Sequence, residues 1–227
     1  MNQQKAIIFD SSTLINFAMN GLLEEFRDLK RMFGGKFLIT KEVKWEIIDN
    51  PMEIKRFELE ALKLNELFLE KVLEMPSSIG IDEKTVSKMT QEIKNIANNT
   101  FFGYGKGMEI IAPGESSCLA LSKLLDEKGI KHVIAVDERT TRILGERPEN
   151  LEKLFLKKMH TKITAKKENF KFFKEFRFVR SAELIYIAYK KGIIKLRNHD
   201  VLDALLYAMK FNGCSISDEE ISDMKKL

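Results

Sequence analysis

The chain has 227 residues, of which 44% are hydrophobic and 32% charged, with a net charge of +4, and that length supports one well-filled core. No apolar run reaches the roughly 18 residues of a membrane span, and the opening MNQQKAIIFD lacks the basic and long apolar regions of a signal peptide, so a cytoplasmic protein with no membrane partner is expected. Two cysteines, Cys118 and Cys214, exclude a disulfide framework and are expected as buried free thiols.

In chain order, KAIIFD reads as a buried strand ending at Asp10, and SSTLINFAMNGLLEEF as a helix capped by Ser11 or Ser12. KFLIT, after Gly34-Gly35, reads as a second strand, and KEVKWEIID as a helix carrying Glu46 and the single tryptophan, Trp45. Residues 51–73 and 82–98 read as helices, and FFGYGKG as a plain flexible connection. Pro113-Gly114 breaks the chain, and ESSCLALSKLLDEKG begins an amphipathic helix with Glu115 in its first turn. HVIAVD is a strand ending at Asp137, and ERTTRILGE is a short helix. SAELIYIAYKKG and DVLDALLYAMKFNG are helices ended by glycine, and Ser217 with Glu220 has the spacing of a capping box on a last helix. Alternating apolar strands and helices predict an α/β fold with a parallel sheet, whose strand ends share one edge.

Each acid has a bland explanation alone. Asp10 and Asp137 suit helix caps, Glu115 complements a helix dipole, and Glu46 suits a solvated face. Together they sit where an open parallel sheet builds its ligand crevice. Four such carboxylates without cations raise one another's pKa, and a bound cation keeps them ionised. Oxygen-only ligands with no His or Cys beside them select Mg²⁺ or Mn²⁺, which points to phosphodiester hydrolysis. Asp10, Glu115 and Asp137 are the expected metal ligands, with Glu46 as an outer ligand or water-orienting group. Together these four acids form the candidate catalytic set.

The blocks IIFDSSTLINF, LITKEVKWEII, APGESSCLALSKLL and VIAVDERTTRIL, in that order, resemble the motif blocks of PIN-domain nucleases, and FRFVRSAELIYIAYKKGII resembles the last strand and helix of some subfamilies. The resemblance implies a three-layer α/β/α fold with a central parallel sheet and an Mg²⁺- or Mn²⁺-dependent ribonuclease. In many members it also implies a toxin with an antitoxin-like protein partner. By block, Asp10, Glu46, Glu115 and Asp137 match the four family acids, and Ser11 and Ser12 the hydroxyl positions after the first. Arg142 matches an arginine some subfamilies carry, and with Ser11, Ser12 and Arg139 it forms the candidate substrate-binding set. Residues 1–227 are then one PIN-like domain, with 51–111 a helical insertion, 147–175 a basic insertion and 196–227 a C-terminal helical extension; a homodimer is a further expectation.

Charge is unevenly placed. Between Arg147 and Arg180 eleven Lys and Arg face four Asp and Glu, a net +7 that leaves −3 for the remainder. Lysines here alternate with Phe155, Phe170, Phe172, Phe173, Phe176 and Phe178. Exposed phenylalanines among lysines suit a single-stranded nucleic acid, RNA first; most of these rings are expected in the core, and the charge excess still favours a polyanion. Asp200 and Asp203 are a weaker acidic lead, and His132, His160 and His199 have neither zinc nor triad spacing. The sequence therefore predicts an endoribonuclease acting on single-stranded RNA. The alternatives are a nucleic-acid-binding or regulatory module with weak or no activity, and a phosphohydrolase of small phosphoesters.

Overall fold

The computed structural model describes residues 4–159 and 162–227; His160 lies outside the described residues. Lys5–Phe9 forms β1 and Lys36–Leu38 forms β2. Lys131–Ala135 forms β5 and Phe178–Val179 forms β7, and these four strands make one parallel sheet in the order β2-β1-β5-β7. Strand β1 is buried over four of its five residues because it is paired on both sides, to β2 (Ile7 beside Phe37) and to β5 (Phe9 beside Ala135). The chain leaves β1 toward β2 and later returns on the opposite side as β5. The order therefore reverses between β1 and β5, the switch point at which a parallel sheet opens its crevice. Asp10 and Asp137 follow those two strands, and the Asp10 N–H donates to Ala135 O at 2.9 Å.

The first helical stretch divides into α1 (Ser11–Met19) and α2 (Leu23–Phe33) at Gly21, whose φ is +69°. Of the expected caps it is Asp10, rather than Ser11 or Ser12, that caps α1: the Ser12 N–H donates to its carboxylate at 3.1 Å. After β2, Thr40 caps α3 (Lys41–Lys44), which widens into a π turn over Trp45–Asp49, closed by the Asn50 N–H on Trp45 O at 2.9 Å. A 3₁₀ turn at Pro51–Glu53, α4 (Glu58–Leu69) and a second 3₁₀ turn at Pro76–Ile79 lead to α5 (Glu83–Asn98). Phe9, Phe17, Phe26 and Phe37 meet ring to ring at centroid distances of 4.8–5.2 Å in the centre of the core.

FFGYGKG is a hairpin, not a flexible connection. Strands β3 (Phe101–Gly103) and β4 (Lys106–Gly107) are joined by Tyr104 and Gly105, both at positive φ, as a two-residue hairpin turn requires. β3 also pairs antiparallel with β6 (Ile163–Ala165). The segments 51–111 and 147–175 thus jointly build a second sheet, of order β4-β3-β6. Pro113–Glu127 forms α6, Arg139–Glu146 forms α7, Glu149–Met159 forms α8 and Phe170–Phe173 forms α9 after a 3₁₀ turn at Lys167–Asn169.

The phenylalanines of the basic stretch are core residues. Phe155, Phe170, Phe173 and Phe176 are buried, Phe172 and Phe178 pack against the core, and Phe101 meets both Phe155 and Phe170. The surface of this stretch is therefore lysine without the stacking platform. Ser181–Lys190 forms α10, Val201–Phe211 forms α11, and Asp218–Lys226 forms α12 behind the expected Ser217/Glu220 capping box. Cys118 and Cys214 are buried and unpaired with each other. Among the described residues no helix is long and apolar enough to cross a membrane.

Candidate functional site

The site starts at the cap of α1. Asp10 is 3% exposed; its Oδ2 accepts from the Ser12 N–H and from the Ser12 hydroxyl at 2.6 Å, while its Oδ1 is buried with no partner. Burial pushes this carboxyl up to about 6; the Ser12 hydrogen bonds oppose the rise and the Glu46 charge adds to it. The Ser12 hydroxyl in turn accepts from the Asp137 N–H at 3.1 Å, bolting the two strand ends together.

Glu46 lies in the π turn, a widened form of helix that recurs at functional sites. One of its oxygens accepts from the Ser11 hydroxyl and the other from the Gly114 N–H at 3.1 Å. The meeting of α3 and α6 that allows this is held by Thr40 and Ser117, whose hydroxyls are 2.6 Å apart, with the Ser117 hydroxyl also donating to Gly114 O. Glu115, one residue on, folds back so that its Oε2 accepts from the Ala112 N–H at 2.6 Å. Burial drives the Glu115 carboxyl up to about 8, opposed by the Ala112 N–H and reinforced by the charges of Asp10 and Glu138.

Two further acids join this group. Glu138 caps α7 by accepting from the Thr141 N–H at 2.8 Å, and its charge reaches Glu115. Glu42, on α3, has a buried Oε2 with no partner. The thiol of Cys118, raised first by burial, also feels Asp10, Glu46, Glu115 and Glu42 together. The sequence held a signal for both, in the i, i+4 spacing of Glu42 and Glu46 and in the doublet Asp137-Glu138. Nothing in that spacing distinguishes a capping glutamate from one facing a site.

Asp137 is placed differently. It is fully buried; its Oδ1 accepts from the Ser181 N–H at 2.7 Å, and its Oδ2 from the Ser181 hydroxyl at 2.6 Å and the Asn16 amide at 2.8 Å. The Asn16 amide also donates to Met209 O at 2.9 Å, and the Ser215 N–H donates to Asp137 O at 3.1 Å. Asp137 therefore joins α1, β5, α10 and the loop after α11. Of the expected set, Asp10, Glu46 and Glu115 share one electrostatic environment, and Ser11 and Ser12 serve as their hydrogen-bond partners. Arg139 and Arg142 are on α7 beyond Glu138. Arg139 is exposed and Arg142 donates to Ser215 O at 3.2 Å. Asp200 and Asp203 pair instead with His199 and Lys225.

Among the described residues no three His, Cys, Asp or Glu side chains are grouped closely enough to enclose one ion. Glu46, Glu115 and Glu138 each spend an oxygen on a backbone N–H at or near the start of α6 or α7. The donor chemistry nonetheless fits a hard divalent cation: the candidate ligands are all oxygen, the buried carboxylate oxygens Asp10 Oδ1 and Glu42 Oε2 are orphaned, and two carboxyls are pushed toward protonation by burial first and by neighbouring acids second. No family model, no curated protein and no solved structure matches the chain.

Proposed function

We propose that this chain is a metal-dependent nuclease of PIN-like, three-layer α/β/α architecture that cleaves single-stranded RNA, with Mg²⁺ or Mn²⁺ as cofactor. The reading is carried by one observation: the buried Asp10, with an orphaned oxygen, stands at the switch point of a parallel sheet and in electrostatic contact with Glu46 and Glu115. In this reading Asp10 would hold the ion, joined by Glu115 and Glu138 once each turns from the backbone N–H it now accepts, Glu46 would orient water from the π turn, and Asp137 braces the strand ends. When bound there, such an ion would supply Lewis acidity toward a phosphate and a lowered pKa for a coordinated water. The residues supply position: the Ser12 hydroxyl fixes Asp10 against β5, and Gly114 and Ser11 fix both oxygens of Glu46.

The decisive experiment is RNA cleavage with Mn²⁺, with chelator, and with Asp10→Asn. Asparagine caps a helix as well as aspartate does, so the fold should survive while the ion loses its buried ligand. Cleavage that requires Mn²⁺ and drops at least about a hundredfold in Asp10→Asn, roughly 3 kcal/mol of barrier, supports the reading; cleavage indifferent to both ends it. The folded-back glutamates favour a second reading, a nucleic-acid-binding module without activity, which predicts RNA binding and no products.

A further inference from the structure

The geometry points to a phosphate track along α7: a cleft that carries the backbone of a nucleic-acid strand away from the acid site, with Arg139 and Arg147 as the contacting cations. This rests on the nuclease reading for the identity of the strand. The cleft measures about 680 Å³ between α7, the loop after α11 and the start of α12, and Arg139 in its lining is the chain neighbour of Glu138.

Four cations line it, Arg139, Arg142, Arg147 and Lys210, against two acids, Glu146 and Glu220. Lys210 is neutralised by Asp218 at 2.6 Å, and Glu220 by Arg180 at 2.9 Å. What remains is three arginines against Glu146, which is 3.9 Å from Arg142. Arg142 is already committed to Ser215 O. Arg139 and Arg147 are both exposed, and among the described residues neither side chain pairs with an acid or a carbonyl. Arg139 opens α7 and Arg147 is its C-cap, a separation of about 12 Å at the helical rise of about 1.5 Å per residue. That is uncompensated positive charge on the helix whose N-cap, Glu138, belongs to the cluster of carboxylates, so one anionic chain lying along α7 would meet both. The opposite wall is rigid, because Ser215 is held by Arg142 and Arg180 and through its N–H by Asp137.

The test is equilibrium binding of a fluorescent, unstructured RNA oligonucleotide in chelator, measured by anisotropy across a salt series. Each phosphate contact on a single strand contributes about 0.7 to the slope of log affinity against log salt. Arg139→Ala and Arg147→Ala should each flatten the slope by about 0.7, and the double variant by about twice that. Lys84→Ala, on the exposed start of α5, should leave it unchanged. Since neither arginine supports the fold through a contact, thermal midpoints should match the parent. Slopes unchanged in both arginine variants, absence of RNA binding, or a slope that falls instead in Lys157→Ala or Lys166→Ala would overturn the track. A normal loss of slope in a protein that never cleaves RNA leaves the track standing and sinks the nuclease reading.

Discussion

Asp10 and Asp137 look alike in the sequence, each ending an apolar strand ahead of a helix, yet the chain uses them differently. Asp10 keeps one oxygen without a partner, whereas Asp137 accepts three hydrogen bonds from Ser181 and Asn16 and has no exposure. Removing the Asp137 carboxylate strands those donors in the interior. Asp137→Ala should therefore cost about 3 kcal/mol of stability, seen as a lowered urea midpoint, on the expectation that buried unpaired donors cost about 1–3 kcal/mol each. An unchanged midpoint would return Asp137 to the list of ligands. Asp137→Asn should lose less, because the amide keeps the shape and one acceptor.

At the scale of elements, the site depends on the seam between the π turn and α6. A Cβ built on Gly114 would fall 2.5 Å from Glu46 Oε2, so this glycine is where the backbone makes room for the carboxylate. The obstacle is the end of a flexible side chain, so Gly114→Ala should leave stability within about 1 kcal/mol, helped by the higher helix propensity of alanine. Glu46 must move, and metal-dependent cleavage should fall by at least about tenfold; full activity would remove Glu46 from the mechanism. The seam also shows where sequence patterning stops. The helical spacing of Val43 and Ile47 predicts an ordinary helix, and the widening appears only where the chain must seat Glu46 on α6 and turn into Pro51. The second sheet is hidden for a similar reason, since β6, which pairs with the hairpin strand β3, lies some sixty residues away.

For the whole molecule, two carboxyls held above their ordinary values make stability depend on pH. Glu115, at about 8, and Asp10, at about 6, bind more protons folded than unfolded between pH 4.5 and 8. Their contribution is thus fully present below the unfolded values and is lost as pH rises through the folded ones. In chelator the thermal midpoint should fall as pH is raised from about 5 to about 8, and Glu115→Gln should flatten most of that slope. Added Mn²⁺ should restore the midpoint at the alkaline end, because a cation takes the place of the protons. A midpoint that climbs over this range would show that neither carboxyl is protonated in the fold.

The apolar runs of β1, β2 and β5, the helix carrying Glu115 in its first turn, the capping box at Ser217 and the basic stretch after Arg147 are legible in the sequence. Burial, period and capping act over a few residues, and short-range chemistry writes them into the chain. Asp10, Glu46 and Glu115 could also be named as one group, because Asp10 ends a strand of a parallel sheet and the two glutamates lie in the helices that follow strand-edge segments. Which acids keep a free oxygen could not be read there. Only tertiary structure brings Ser181 and Asn16 onto Asp137, Gly114 onto Glu46, and Glu138 toward Glu115. Those partners lie up to 121 residues apart along the chain, and it is their hydrogen bonds that separate a brace from a candidate ligand.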